Sequence, residues 1–528
     1  MLNFNRYQLF PVIVFSFLSS PRLHGKAITD DGDPKLSKPN ILIIYTDQQR
    51  YNTIRALGNG FIRTPNIDKL VKEGVAFTNS FVSSPVSTPS RWSLHTGMYT
   101  TSHQTYSNHH VAKRPVTSLP LELKKKGYQT AVIGKNHCFL DKTDLDVIIE
   151  TPDFSGVPED GRSALKAMPW SVQNDPMHAI TDSTLKLMGQ NKGNKLFFIW
   201  LSYLYPHTPY RVPEPYFSMY NSVEIPRPVC EQGDLKNTKK PFRQVFHQEN
   251  NDRLLPYDSD RIKRMEQNYY GMISFIDFEI GRILDYLDKN KLRDNTLIIF
   301  TADHGDYMGD HHMFTKSPAM YDCLVRVPLI FSWTGKIPSN IVTEELISNV
   351  DIMPTILTLL ESDIPDQVQG ISYAEFLTGG NFSKQLRSYV FSEYGIPGKP
   401  IDRIVLEKFI PDYKENPVSF SDPRIPWEAN PVVLSGRFRM IRSKEWKFIE
   451  EENGISELYD LKNDPGELVN LWNNPDYKLI QDKLYSALKE WKSGLPGIEK
   501  DSIDMGIQNL KEYTEFRKKG LDPAGMYR

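Results

Sequence analysis

Four short runs limit what this chain can fold into: NILIIYT (Asn40 to Thr46), QTAVIG (Gln129 to Gly134), LFFIWLSY (Leu196 to Tyr203) and TLIIFTA (Thr296 to Ala302). Each is apolar almost without a break. A strand with one wet face alternates apolar and polar residues, whereas one covered on both faces does not need to. The segments between them have helical character. In RMEQNYYGMISFIDFEIGRILDYLDKN the residues Tyr269, Met272, Ile273, Ile276, Ile280, Ile283 and Leu287 recur at helical spacing, which predicts a stripe facing a core. Doubly covered strands alternating with helices predict an α/β fold: a large mixed, mostly parallel sheet sandwiched by helices.

Two stretches, 141–175 and 208–260, are rich in Pro, Asp and Asn and are expected to be irregular. From about Arg387 the pattern changes. RSYVFSEYG, SGRFRMIRSK, EWKFIEEE and ELYDL read as strands of a small antiparallel sheet, and a polar helix is expected from Lys478 to Trp491. The expected layout is a signal peptide at 1–26, an α/β domain at 27–385 and a smaller α+β subdomain at 386–528. The first of these rests on Arg6, the apolar run LFPVIVFSFL and the small residues after it. That run is too short to span a bilayer and has the form of a secretory h-region. No cysteine follows it closely enough to carry a lipid, so an exported protein, periplasmic or secreted and without a membrane anchor, is expected. The formal net charge is −2 and no long basic run occurs, which makes nucleic acid and anionic membranes poor partners. Cys138, Cys230 and Cys323 are too far apart for a zinc motif and too few for a disulfide framework.

In an open α/β sheet, ligands bind beyond the carboxyl ends of the strands. The residues that follow each predicted strand are therefore the candidates. Asp47-Gln48-Gln49-Arg50 follow the first and Lys135-Asn136-His137 the second; His207 comes shortly after the third. Asp303-His304-Gly305-Asp306 follow the fourth, with Lys316 further on. One such residue means little, since an Asp after a strand is commonly a helix cap. Together, two carboxylates, three histidines and two lysines can hold a hard divalent cation through oxygen ligands and clamp a tetrahedral oxyanion. Oxygen-rich ligation points to calcium or magnesium rather than zinc. The substrate class is then a sulfate or phosphate ester, and Ser87, four residues before Arg91, is a nucleophile candidate.

At this point the chain resembles the formylglycine-dependent sulfatases of the alkaline-phosphatase superfamily, of the serine type found in bacteria. Their signature, Cys or Ser followed by x-Pro-x-Arg, reads here Ser87-Thr88-Pro89-Ser90-Arg91. Six further blocks stand in family order: TPNIDKLVKEGVAFTNSF, GYQTAVIGKNH, YPHTPY, TADHGDYMGDHHMFTK, NVDIMPTIL and ELYDLKNDPGELVNL. The resemblance implies that a radical-type maturation enzyme oxidises Ser87 to formylglycine. The hydrated aldehyde attacks sulfur with one hydroxyl and expels sulfate through the other. It implies Asp47, Gln48, Asp303 and His304 as metal ligands, for Ca2+ or possibly Mg2+. Gln48 stands where the family often has an acidic residue, so it would ligate without adding charge. It further implies Lys135 and Lys316 as sulfate-binding cations, His137 as assisting collapse of the diol, and His207 as the leaving-group acid. Arg91 would hold the modified residue, and His311 receives no role.

The reading that follows is an exported sulfatase removing sulfate from a sulfated carbohydrate, one terminal sugar at a time. Tyr210, Arg211, Tyr216 and Tyr220 are candidate sugar contacts or, equally, members of a packed loop. Two alternatives are a phosphonate monoester or phosphodiester hydrolase of the same superfamily, and a glycan-binding protein without catalysis.

Overall fold

The computed structural model describes residues 38–108, 117–138, 140–151, 164–191, 195–226, 228–229, 235, 239–254, 259–316, 319–379, 385–409, 430–452, 454–495, 511 and 515. The expected signal peptide at 1–26 lies outside them. The main sheet has eight strands: β1 (Asn40–Thr46), β2 (Val75–Phe81), β3 (Gln129–Gly134), β4 (Val147–Ile149), β5 (Phe197–Ser202), β6 (Thr296–Ala302), β7 (Leu329–Ser332) and β8 (Ile341–Ser348). Their order is β4-β3-β5-β1-β6-β7-β2-β8, and all run parallel except β7, which is antiparallel to both neighbours. The sheet is therefore mixed and mostly parallel, as its apolar runs predict. β1 lies between β5 and β6, with β3 one strand further out, so the four strands legible in the sequence form the centre.

Successive side chains point to opposite faces. Leu42, Ile44, Ile133, Ile199, Leu201, Ile298 and Phe300 form one core with Tyr269, Met272, Ile276, Ile280 and Ile283 of the long helix Ser259–Lys289. Helices Pro65–Lys72 and Pro176–Asn191 pack on the same side. On the other face Tyr45 and Trp200 meet helix Ser87–Thr96, where the His95 ring lies 4.4 Å from that of Trp200. The long helix ends at Lys289 and the chain turns through Arg293–Asn295 into the foot of β6. Its 31 residues span roughly 46 Å, against roughly 23 Å for the seven of β6. Its first turns therefore stand well beyond the carboxyl ends of the strands.

The carboxy-terminal strands β9 (Val390–Tyr394), β10 (Phe438–Arg442), β11 (Trp446–Glu451) and β12 (Glu457–Asp460) form a separate antiparallel sheet in the order β12-β11-β10-β9. Leu484 and Leu488 of helix Lys478–Ser493 cover Ile441, Phe448 and Leu458 on one face. The other face shares a core with the main body, where Met440, Ile449 and Tyr459 join Phe81, Met320 and Leu346. Charges are buried at this junction. Lys447 Nζ lies 2.6 Å from both Asp322 and Glu467, and Arg442 makes two bonds to Asp322.

Two expectations of irregular structure need correction. Residues 208–260 contain helix Phe242–Leu254, and residues 141–175 contain β4. The helix carries no apolar stripe because polar groups dock it. Arg243 Nε donates to Glu451 at 2.6 Å, and Gln244 Nε2 to Glu457 at 2.8 Å. Gln248 Nε2 donates to the His311 carbonyl at 3.0 Å.

Candidate active site

The carboxyl ends of β1, β3, β5 and β6 converge on Arg91, in the second turn of helix Ser87–Thr96. The guanidinium is fully buried, and each donor is spoken for. Nε and Nη2 donate to Asp303 Oδ2 at 3.1 and 3.0 Å, and Nη2 also reaches Asp47 Oδ2 at 2.9 Å. Nη1 donates to Ser202 Oγ at 2.7 Å and to the Lys135 carbonyl at 3.1 Å. Tyr45 and Trp200 flank the cation, with ring centroids 4.9 and 5.6 Å from Cζ. These bonds hold the carboxylates that follow β1 and β6, and they engage only the Oδ2 atom of each.

The two carboxylates and a neighbouring histidine also bring ligand atoms together. One ligand atom each from Asp47, Asp303 and His304 falls within 4.8 Å of the others. Asp47 Oδ1 is buried with no hydrogen-bond donor. Gln48 sits at φ 69 and gives its Nε2 to Asp306 Oδ2 at 2.5 Å, which leaves its Oε1 a second buried acceptor without a donor. His304 Nδ1 faces the Gly305 carbonyl at 2.8 Å, and a carbonyl can only accept. The proton is therefore on Nδ1, and Nε2 presents a lone pair. Two carboxylate oxygens, an orphaned amide oxygen and an imidazole lone pair make a coherent donor set for a divalent cation, and the two formal charges match it.

Ser87 is the first residue of its helix and fully buried. Its Oγ lies 3.0 Å from His304 Nε2 and 3.3 Å from Lys316 Nζ. Lys316 Nζ is also 3.4 Å from His207 Nε2, while His207 Nδ1 lies 2.5 Å from the Thr208 carbonyl and so carries the proton. Lys135 Nζ sits 2.5 Å from Asp47 Oδ2. The crowding of charges moves the titrations. Burial pushes Asp47 up, but Lys135, His207 and Arg91 outweigh it and hold the carboxyl well below its ordinary value. Burial, with Arg91 and Lys316 beside it, lowers Lys135. Burial also lowers His207 to about 3 and His304 to about 4, so both rings are neutral at pH 7. His137, in the turn after β3, is lowered to about 2 by burial and then by Lys135 and Arg91.

All ten residues singled out in the sequence thus gather at one end of the sheet, although Arg91 bonds to the carboxylates instead of Ser87. Ser202, Asp306 and Arg50 complete the network; Arg50 and Asp306 stood in the candidate runs without a role, and Ser202 was not singled out. The signal for Asp306 was its place in the same Asp-His-Gly-Asp run. Ser202 could have been found as the last residue of β5. The aromatic candidates for sugar contact are packed away. Tyr210 is fully buried and donates to Asp306 at 2.6 Å, Tyr216 stacks on Phe275, and the Tyr220 hydroxyl lies 2.6 Å from Ser274 Oγ. Arg211 is buried as well. His311 stacks on Tyr321 with centroids 4.0 Å apart, which is a packing role.

A family model described as Sulfatase matches residues 39–362. The chain is 28% identical over 525 residues to an arylsulfatase of Clostridium perfringens, covering 90% of this chain and 98% of that protein. It is 24% identical over 547 residues to an N-acetylglucosamine-6-O-sulfatase of Bacteroides thetaiotaomicron, covering 90% of each. The fold matches that of a phosphonate monoester hydrolase from Silicibacter pomeroyi with a TM-score of 0.72 at 22% identity, over 87% of this chain and 96% of that one. The family match runs through more than half of the chain and takes in every residue of the cluster around Arg91, and so the chain belongs to the sulfatase family of enzymes.

Proposed function

We propose that this protein is an exported, formylglycine-dependent sulfatase that removes sulfate from the terminal sugar of a sulfated glycan. The observation that carries this reading is the convergence of Lys135, His207 and Lys316, from three separate segments, on a buried Ser87 beside the carboxylate pair. A sulfate monoester presents three unsubstituted oxygens, and cationic or hydrogen-bonding nitrogens stand ready for them. A phosphonate monoester has only two, and needs an apolar wall for its carbon substituent. The relative from Bacteroides thetaiotaomicron, which carries the name of a sugar sulfatase, supports the glycan part.

Oxidation of Ser87 to formylglycine by a radical-type maturation enzyme would supply an aldehyde hydrate as nucleophile. A Ca2+ or Mg2+ ion held by Asp47, Gln48, Asp303 and His304 would supply positive charge beside it. The remaining work belongs to the chain's own groups. Arg91 fixes both carboxylates by their Oδ2 atoms, which leaves Asp47 Oδ1 without a donor, while Asp303 Oδ1 accepts from the backbone N–H groups of Gln48 and His304. Lys135 and Lys316 bind ester oxygens, and the amino end of helix Ser87–Thr96 favours negative charge there. His304 Nε2, 3.0 Å from Ser87 Oγ, sets the reacting residue beside the ligand set. His207 Nε2 faces the Lys316 ammonium, its proton source, and an anion bound beside the ring raises its pKa toward the range where it can protonate a departing alkoxide. His137 would assist collapse of the hydrate.

The test is sulfate release from a panel of sulfated saccharides by Ser87→Cys protein matured to the aldehyde, confirmed by mass, with Ser87→Ala as control. Release from one sugar class by the matured protein alone is the expected result. Faster cleavage of phosphonate monoesters or phosphodiesters than of any sulfate would replace the reading with the hydrolase alternative. Turnover of neither would leave a binding role.

A further inference from the structure

Of the four candidate ligands, Gln48 is the one that can fail by turning over. A primary amide offers a cation its oxygen or, rotated by half a turn about its last bond, an NH2 group that repels it. Nothing in the sequence decides between the two. In the fold, every polar atom of the residue is engaged except one. Its backbone N donates to Asp303 Oδ1 at 2.9 Å, and its carbonyl accepts from the Tyr269 hydroxyl at 2.7 Å. These two bonds support a backbone at φ 69, the left-handed region that a residue with a Cβ seldom adopts. Its Nε2 donates to Asp306 Oδ2 at 2.5 Å. Oε1 is buried and has no donor, so it is the atom through which Gln48 can meet a cation.

Which end of the amide faces Asp306 is dictated by Asp306 itself. That side chain is fully buried. Its Oδ1 accepts from the backbone N–H groups of Met308 at 2.7 Å and Thr315 at 3.0 Å. Its Oδ2 accepts from the Tyr210 hydroxyl at 2.6 Å as well as from Gln48. Four donors on two oxygens use the full capacity of a carboxylate, which has no hydrogen of its own to give. A turned-over Gln48 would set Oε1 against Oδ2, acceptor against acceptor, inside the protein.

We propose that Asp306, braced by Tyr210, is a positioning residue for the cation site: it fixes the orientation of the Gln48 amide, so that oxygen and not nitrogen is left for the metal. The proposal rests on the cation part of the sulfatase reading. It also accounts for an uncharged residue at position 48. A carboxylate there would press against that of Asp306 in a buried contact, where two like charges do not both persist. The two residues can be exchanged, however, and the exchange follows from the same bonds. In Asp306→Asn the backbone N–H groups of Met308 and Thr315 still require an oxygen, so the amide nitrogen takes the place of Oδ2. Its two hydrogens then point at Tyr210 and at residue 48, which must answer with an acceptor. Gln48 can do so only by turning over and leaving Nε2 for the cation. With Gln48→Glu in addition, one carboxylate oxygen accepts and the other remains for the cation.

Calorimetric titration of the unmatured protein with Ca2+ and with Mg2+, after removal of bound metal by a chelator, tests this without any turnover. Wild type, Gln48→Glu, Asp306→Asn and the double variant are compared, and near-ultraviolet circular dichroism in the absence of cation checks the fold of each. Both single variants are expected to bind about 10–100-fold more weakly, and the double variant to return close to the wild-type affinity. Damage to packing around Asp306 is not repaired by a change at position 48, so recovery separates positioning from a merely structural role. Asp306→Asn binding as wild type does, Gln48→Glu binding more tightly than wild type, or a double variant no tighter than Asp306→Asn each overturns the proposal. Should Asp306→Asn fail to fold, Gln48→Glu decides alone: weaker binding supports the proposal, and equal or tighter binding overturns it. Wild type that binds neither ion removes the cation reading and this proposal together, whereas the other adverse outcomes leave that reading standing.

Discussion

A histidine ring whose Nδ1 proton is given to its neighbour's carbonyl has one nitrogen left for chemistry, and in His207 that nitrogen faces an ammonium. If the ring delivers a proton to the departing oxygen, its loss should matter most where the leaving group is poor. His207→Ala is expected to lower kcat on a saccharide sulfate by about 10²–10⁴, and to do much less damage on an aryl sulfate with an acidic phenol. Steady-state kinetics on both substrates distinguishes this from a positioning role, which would slow both alike. Glu266 gives a second prediction at this scale. Its folded pKa is raised to about 8, above roughly 4.3 for an unfolded Glu. Its stabilising term is therefore fully present below about pH 4.3 and is lost as the pH climbs through about 8. Glu266→Gln removes that loss. Chemical denaturation at pH 5 and pH 8.5 should show the variant gaining on wild type at the higher pH, and a constant difference would refute it.

Among the elements, β3 shows how closely the site depends on strand ends. Gly134 closes the strand at φ 104, and a Cβ there would come within 2.0 Å of the Ser202 carbonyl oxygen on β5. The next residue is Lys135. Gly134→Ala must push β3 and β5 apart where they deliver Lys135 and Ser202 to Asp47 and Arg91. The φ alone costs about 1–3 kcal/mol. We expect kcat/KM to fall further than the thermal midpoint would suggest, measured on matured protein at a temperature where both forms are folded. The central strands could be read in the sequence almost to the residue, because burial on both faces leaves an uninterrupted apolar run. β7, only four residues long, and β8, whose first half is partly exposed, carry no such run, and β4 is half-buried throughout. Helix Phe242–Leu254 escaped notice because Arg243, Gln244 and Gln248 dock it, so its buried side has no apolar period. Much of the candidate site followed from the same strands, since Asp47, Lys135, His207 and Asp303 come after them, whereas Ser87 and Arg91 follow β2 and were picked out by the signature. What Arg91 holds was not legible, since its partners come from positions 47, 135, 202 and 303 and meet only in the fold.

For the whole molecule, the question is whether the small carboxy-terminal sheet is a separate body. We proposed a boundary near residue 386, yet β10 and β11 put Arg442 and Lys447 onto Asp322, in the segment that follows Lys316. Burial pushes Asp322 up, but Arg442, Lys447 and Arg326 overcome it and lower its pKa. Removing the Lys447 charge would leave Asp322 and Glu467 facing each other in the interior. Breaking a buried pair of this kind costs about 3–5 kcal/mol. Lys447→Met should accordingly lower the stability of the entire protein in one cooperative transition by calorimetry. A separate early transition for the small sheet would show that the two bodies unfold independently. The buried position of Ser87 has a further consequence, which concerns time. In the finished fold no surface of that serine is open to another protein. If Ser87 is oxidised as we propose, a maturation enzyme would reach it only while the chain is still loose, so the oxidation would have to come early in the protein's life and could not be renewed afterwards. Purified folded protein should stay unmodified when given the enzyme, while a peptide covering Phe81 to Thr100 is converted. On that proposal a molecule that folds before it meets its modifier would stay inactive for good, and the activity of a preparation would record how many chains were met in time.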